Sequence, residues 1–245
     1  MKTFLPVLLL CVAIHSGFAQ PKEKVIEFTN PSFEDFPRAS SPPIHWYNCG
    51  FPGESPPDVQ PDPTFNVTQP AYEGKTYLGM VVRDNNTWEA VSQKLSQPMK
   101  KDYVYQLEVY LARSDFYWSV SRVSEKETNY AMPVRFRVFG GFSWREGEQF
   151  LAETPPVTHT EWKSYVLELE PAEEAYDHII LEAYYDDRIA GPYCGNVLVD
   201  NLSPLIPLRL DISKFHKNIV PKFTKRLSPI TPARPRPPAR PPSSP

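Results

Sequence analysis

Carboxylates gather in two stretches of the chain: Glu54, Asp58 and Asp62 in "WYNCGFPGESPPDVQPDP", and Asp186 and Asp187 in "AYYDDR". Two such groups at the right separation hydrolyse a glycosidic bond, one as acid and the other as base or nucleophile. Rings stand beside them. Trp46 and Tyr47 open the first stretch and Tyr184 and Tyr185 the second, while "ARSDFYWSVSR" places Tyr117 and Trp118 near Arg113 and Asp115. A ring face packs on the apolar side of a pyranose, and planar charged groups bond to the hydroxyls around it, so these stretches have the residue types of a sugar site. The candidate binding residues are therefore Trp46, Tyr47, Arg113, Tyr117, Trp118, Tyr184, Tyr185 and Asp187, with Trp144 after "FGG" as a further exposed ring. For any single one of the five Trp and thirteen Tyr, a place in the core is the plainer reading, since large aromatics are favoured in sheets.

Other chemistry finds little support. The chain contains no G-x-S-x-G elbow, H-E-x-x-H helix, P-loop or dinucleotide fingerprint, and its five His lack ligand spacing. Binding is thus preferred to catalysis, and a glycan-active hydrolase is the third reading. Charge argues against nucleic acid. Eight of the 26 bases and none of the 29 acids follow Asp211, so the preceding residues carry 18 bases against all 29 acids. The basic end, "PITPARPRPPARPPSSP", has almost nothing to bury, and residues 213–245 are expected to form a disordered Pro/Arg-rich tail able to touch an anionic polymer.

Lys2, the apolar run from Phe4 to Ile14 and Gly17-Phe18-Ala19 read as a signal peptide over residues 1–19, which predicts an exported protein, secreted, periplasmic or on the cell surface. Removal of the signal leaves Cys49 and Cys194. Two cysteines in an oxidising compartment predict a disulfide, worth about 4 to 5 kcal/mol for so long a loop. Two separate buried thiols are the alternative.

From residue 24 to 208 apolar and polar side chains alternate in short runs, as in "YVYQLEVYLAR", "VRFRVFG", "WKSYVLELE" and "HIILEAYY", divided by turn signals such as "RDNN", "WREGE" and "IAGP". Many short strands without an amphipathic helix predict an all-β sandwich or barrel. The order of "NPSFED", "GKTYLGM", "VSQKLSQPMKKDYVYQLEVYLAR", "EWKSYVLEL" and "NVLVDNLSP" resembles the galactose-binding-like jelly rolls, a group that includes many carbohydrate-binding modules, and looks closest to secreted Bacteroidetes proteins of that type. This resemblance implies a jelly-roll β-sandwich and a non-catalytic glycan-binding module, with a protein-binding or structural component of the cell envelope as the alternative. It also implies a structural Ca2+ held by Glu34 and Asp200, with Asn30 and Asp35 nearby; bonding of the two carboxylates to turn amides is the competing reading. The Pro-rich stretch from Trp46 to Pro63, too long for an idle connection, is expected to form part of a binding rim, or else a lid over a sheet edge.

Overall fold

The structure, a computed structural model, describes residues 24–101 and 103–208. The expected signal peptide and basic tail lie outside them. In chain order the strands are β1 (Tyr47–Asn48), β2 (Asp58–Gln60), β3 (Tyr77–Arg83), β4 (Thr87–Trp88), β5 (Ala90–Met99), β6 (Val104–Ala112), β7 (Trp118–Val120), β8 (Glu127–Asn129), β9 (Met132–Pro133), β10 (Arg135–Gly141), β11 (Gln149–Glu153), β12 (Lys163–Leu169), β13 (Tyr176–Tyr184), β14 (Gly195–Asp200) and β15 (Ile206–Leu208). One short 3-10 turn, Pro63–Phe65, interrupts the β structure.

Eight of these strands pair in a nested order. β3 lies beside β14, β5 beside β13, β6 beside β12 and β10 beside β11, all antiparallel. The resulting sheets run β1-β5-β13-β10-β11 and β12-β6-β14-β3-β2. Pairing of first with last and second with next-to-last, shared between two sheets, is the jelly-roll arrangement, so the expected fold is the one the strand order gives. Short strands extend the second sheet to eight, with β4 paired to β3, β9 to β14 and β15 to β6, and β7 and β8 form a separate hairpin.

The period-two pattern builds the core. Val91, Val138 and Leu181 turn inward from the five-stranded sheet to meet Leu78, Met80, Leu107, Val109 and Val197 of the other. A second cluster, with Tyr77, Val81, Tyr117, Tyr130 and Leu198, lies on the opposite face of the eight-stranded sheet. β3 and β14 are therefore buried on both faces, which explains why "YLGMVV" and "NVLVD" read as nearly continuous apolar runs. Asn196 ties down the long loop that covers this second cluster, donating to the carbonyls of Ser114 and Tyr130 and accepting from the Ser114 amide.

The expected disulfide is absent: Cys49 and Cys194 are both free. Cys49 donates its amide to Ala90 at the edge of the five-stranded sheet, whereas Cys194 precedes β14 in the other. Packed sheets stand about 10 Å apart, beyond the reach of a bridge between Cα atoms.

Candidate functional site

The outward residues of the five-stranded sheet make two parallel rows. Directly opposed residues in antiparallel strands share a face. Tyr47 opposes Ser92, Ser92 opposes Ile180, Ile180 opposes Phe139, and Phe139 opposes Phe150, so one row crosses all five strands. With strands about 4.8 Å apart, the row is roughly 19 Å long. Its ends are open rings, with Tyr47 58% and Phe150 46% exposed. Two residues along the strands, or three on β11 where a bulge shifts the register, lies the second row, Ala90, Glu182, Arg137 and Glu153. The first row has rings at Tyr47, Phe139 and Phe150, with buried Ser92 and Ile180 between them; the other is ionic.

Arg137 joins the two rows. It lies 3.4 Å from Glu182 on one side and 3.4 Å from Glu153 on the other. Its guanidinium also sits 3.8 Å from the centre of the Tyr184 ring, with Phe150 at 5.3 Å and Phe139 at 5.6 Å. A guanidinium stacked on a ring keeps its in-plane N–H groups for carboxylates or hydroxyls. Burial pushes the Glu182 carboxyl above its ordinary range, while bonding from Trp88 and the charge of Arg137 pull it back.

Each acid of the ionic row reaches a cavity. Glu182 lines one of about 130 Å³ with Cys49, Phe51, Trp88, Phe139 and Arg145. Glu153 lines one of about 370 Å³ with Arg135, Pro155, Pro156 and Arg188. Around the second, Arg135 binds Glu153 at 3.1 Å and Asp187 at 2.7 Å, and Arg188 binds Asp186 at 2.7 Å. The Cys49 thiol in the first is pushed up to about 12 by burial and by the charge of Glu182, so it is protonated and unreactive there.

A hairpin overhangs the first cavity because two glycines let it fold back. A Cβ on Gly141 would stand 2.2 Å from the Glu146 carbonyl, and one on Gly140 would stand 2.6 Å from the Tyr176 ring. The bare backbone of "FGG" thus admits the turn that carries Trp144 and Arg145. On the opposite edge the loop after Tyr47 supplies Cys49, Gly50 and Phe51, whose ring meets Trp88 edge-on at 4.7 Å.

Of the residues proposed from the sequence, Tyr47, Tyr184 and Asp187 come together on this side of the sandwich. The others go elsewhere. Trp46 is buried: its indole donates to the Asn30 carbonyl and its ring packs 5.0 Å from Phe33, closing the core. Tyr117 is buried, with its hydroxyl donating to Asp58, and Tyr185 is buried, its hydroxyl donating to the carbonyls of Arg83 and Thr87. Trp118 is half-buried in the separate β7–β8 hairpin, and Arg113 is engaged with Asp115 and the Ala131 carbonyl. These five belong to the core or to the loop over the eight-stranded sheet. The carboxylates of the catalytic reading are also engaged: Asp58 with Tyr117 and the Ser40 amide, Asp62 with the Thr64 amide, Glu54 with Arg122, and Asp186 with Arg188.

Glu34 and Asp200 do lie near one another, since the charge of Glu34 helps burial to push Asp200 up to about 7. Their partners are N–H groups. Asp200 accepts from the amides of Tyr72, Glu73 and Asn201, and Glu34 from those of Lys75 and Thr76. Calcium takes six to eight oxygens, and amide nitrogens supply none. Asn30 and Asp35 do not complete a cage: Asn30 accepts from the Glu34 amide, and Asp35 pairs with Arg38 at 2.8 Å. Among the described residues no group of three or more His, Cys, Asp or Glu could hold a metal ion. The donor set fits turn-bonding better than calcium.

No protein family and no curated protein matches the chain. Among solved structures it is similar to a Stig cyclase from Fischerella sp. TAU, with 14% identity over 76% of this chain and 98% of that one, at a TM-score of 0.46. An arabinose-bound GH51 α-L-arabinofuranosidase shows 15% identity over 75% of this chain but only 26% of its own length, at a TM-score of 0.48. The CBM22-1 xylan-binding domain of Paenibacillus barcinonensis shows 16% identity over 73% of this chain and 92% of that domain, at a TM-score of 0.39. Likenesses this distant carry no argument about function, and the fold rests on the strand order.

Arg137, Glu182, Glu153, Phe139 and Phe150 are not among the residues the sequence singles out, because they stand in regular strands, where alternation marks the core and gives the outward residues no distinctive pattern. The signal was available in residue type alone: in "VRFRVFG" and "IILEAYY" the residues between the core positions are Arg, Arg and Phe in one, and Ile, Glu and Tyr in the other.

Proposed function

We propose that the chain is an exported, non-catalytic glycan-binding module of the cell envelope or exterior, and that its binding surface is the outward face of the five-stranded sheet. One observation carries this reading: a row with rings at Tyr47, Phe139 and Phe150, its two ends exposed and its middle members Ser92 and Ile180 buried, runs beside an ionic row centred on Arg137. The rings take the apolar faces of successive sugars, while Arg137, Glu153 and Glu182 bond to hydroxyls from the side. A length of roughly 19 Å suits a short oligosaccharide better than one sugar. Every carboxylate of the ionic row is engaged by an arginine, an arrangement for holding a ligand more than for transferring a proton.

The test is a glycan array followed by calorimetry with Tyr47→Ala and Phe150→Ala. Each exposed ring removed should lower affinity about tenfold, near 1.4 kcal/mol, while melting shifts little. Binding unchanged in both variants would refute the assignment. A second reading, a protein-binding or structural component of the envelope, draws on a different surface, where Phe116, Val120, Val123 and Met132 are exposed around the β7–β8 hairpin. An empty array together with a single partner recovered from envelope extract, lost on Phe116→Ser and Val123→Ser, would move the assignment there.

A further inference from the structure

Eight arginines fall among the described residues, and seven have a carboxylate within 4.0 Å: Arg38, Arg83, Arg113, Arg122, Arg135, Arg137 and Arg188. Arg145 is the exception. It lines the smaller cavity, and its guanidinium lies 4.3 Å from the centre of the Trp144 ring. Trp144 is itself 41% exposed. With a ring against the guanidinium and no carboxylate of the described residues within 4.0 Å, its N–H donors enter no ion pair there and keep the fork that matches a carboxylate in two parallel bonds.

Across the same cavity stands Glu182, the group that would repel an incoming anion. Two features weaken that repulsion: Arg137 pairs with it at 3.4 Å, and burial shifts it toward its neutral form. The neighbouring Glu146 and Glu148 are exposed to water, where their charges are screened. We infer that the smaller cavity selects a carboxylate-bearing sugar, a uronic acid residue within an acidic polysaccharide, and that Arg145 is the specificity-determining residue that pairs with its carboxylate. This rests on the glycan reading and adds the class of glycan. Trp144 holds Arg145 in place, and the Gly140-Gly141 pair holds the hairpin over the cavity.

Two probes test it: a uronate oligosaccharide, and the same oligosaccharide with every carboxyl reduced to a primary alcohol. The wild-type chain should bind the acidic form at least tenfold more tightly, with an affinity that falls as salt is raised, as expected of one charge-assisted pair. Arg145→Gln should weaken the acidic form about tenfold more than the neutral one, so that the preference between the two disappears. Arg145→Lys, which keeps the charge and loses the fork, should recover part of the preference. Equal binding of both probes by the wild type, or equal loss of both in Arg145→Gln, overturns the inference while leaving the glycan module standing. Binding of neither probe, nor of any glycan on an array, overturns both. Because Arg145 is exposed, an unchanged melting temperature of the variant is the expected folding control.

Discussion

Replacing Arg137 with methionine keeps most of the apolar stem of the side chain and deletes the guanidinium with its charge. Glu182, 13% exposed, then loses its counter-ion, and Tyr184 loses the guanidinium against its face. Removing one partner of a fully buried pair costs about 3 to 5 kcal/mol. Here Arg137 is 23% and Glu153 35% exposed, so water reaches part of the site. Roughly half the buried figure, about 2 kcal/mol, is expected from the ion pair, and about 1 more from the ring contact. In a domain of this size that lowers Tm by about 6 to 12 °C. The loss also depends on pH. Burial already raises Glu182 above 4.5, and without Arg137 it rises further. Between those two values the folded chain keeps a proton that the unfolded chain has released, so stability falls as pH rises through this interval and levels off above it. Arg137→Met should therefore be mildly destabilised at pH 5 and fully so at pH 8, measured by urea unfolding against wild type. Adding Glu182→Gln removes the stranded charge and should recover much of the loss at pH 8. An equal loss at both pH values, or no recovery in the double variant, would refute the account of Arg137 as a counter-ion.

Trp46→Ala should cost about 3 to 5 kcal/mol in denaturant unfolding, as expected for a large ring removed from a core; a loss below about 1 would return Trp46 to the surface. Thiol titration of unfolded, unreduced residues 20–245, which hold Cys49 and Cys194 alone, should count two thiols, and a count of zero would restore the bridge between them. EDTA should leave the melting temperature unchanged, because Glu34 and Asp200 are served by amides; a fall reversed by calcium would place an ion between them. Gly141→Ala should displace the 142–148 hairpin and weaken binding of an acidic oligosaccharide, which is tested by calorimetry alongside Arg145→Gln.

The sandwich was legible because its outer strands alternate cleanly. "VRFRVFG" puts Val134, Phe136 and Val138 inside, and the structure does the same. The site was harder to read because the same alternation that marks the core also carries the binding groups. Arg137 and Glu182 are distant in sequence and become partners only through the pairing of β10 with β13, a register that no local pattern reveals. Tyr185 misled for a related reason. It follows Tyr184 by one residue, so the two rings face opposite ways, and only one of them reaches the outer face. Trp46 and Tyr47 divide in the same manner, the first closing the core and the second opening the aromatic row. Cys49 and Cys194 show what composition leaves out, since an even count of cysteines fixes no distance between them.

The nested pairing has a consequence for how the chain is made. β3 is among the first long strands to leave the ribosome, and its neighbour in the sheet is β14, near the end of the described residues. β6 likewise needs β14 on one side and β12 on the other. A nascent chain that stops before Gly195 lacks the strand that separates β3 from β6, so its central sheet has a gap that no earlier segment fills. Such high contact order makes folding slow and late, because loop-closure entropy must be overcome before the long-range pairs form. A polypeptide unable to fold until β14 has been synthesised stays threadable through most of translation. For a chain exported as proposed above, that is the state a narrow export channel accepts.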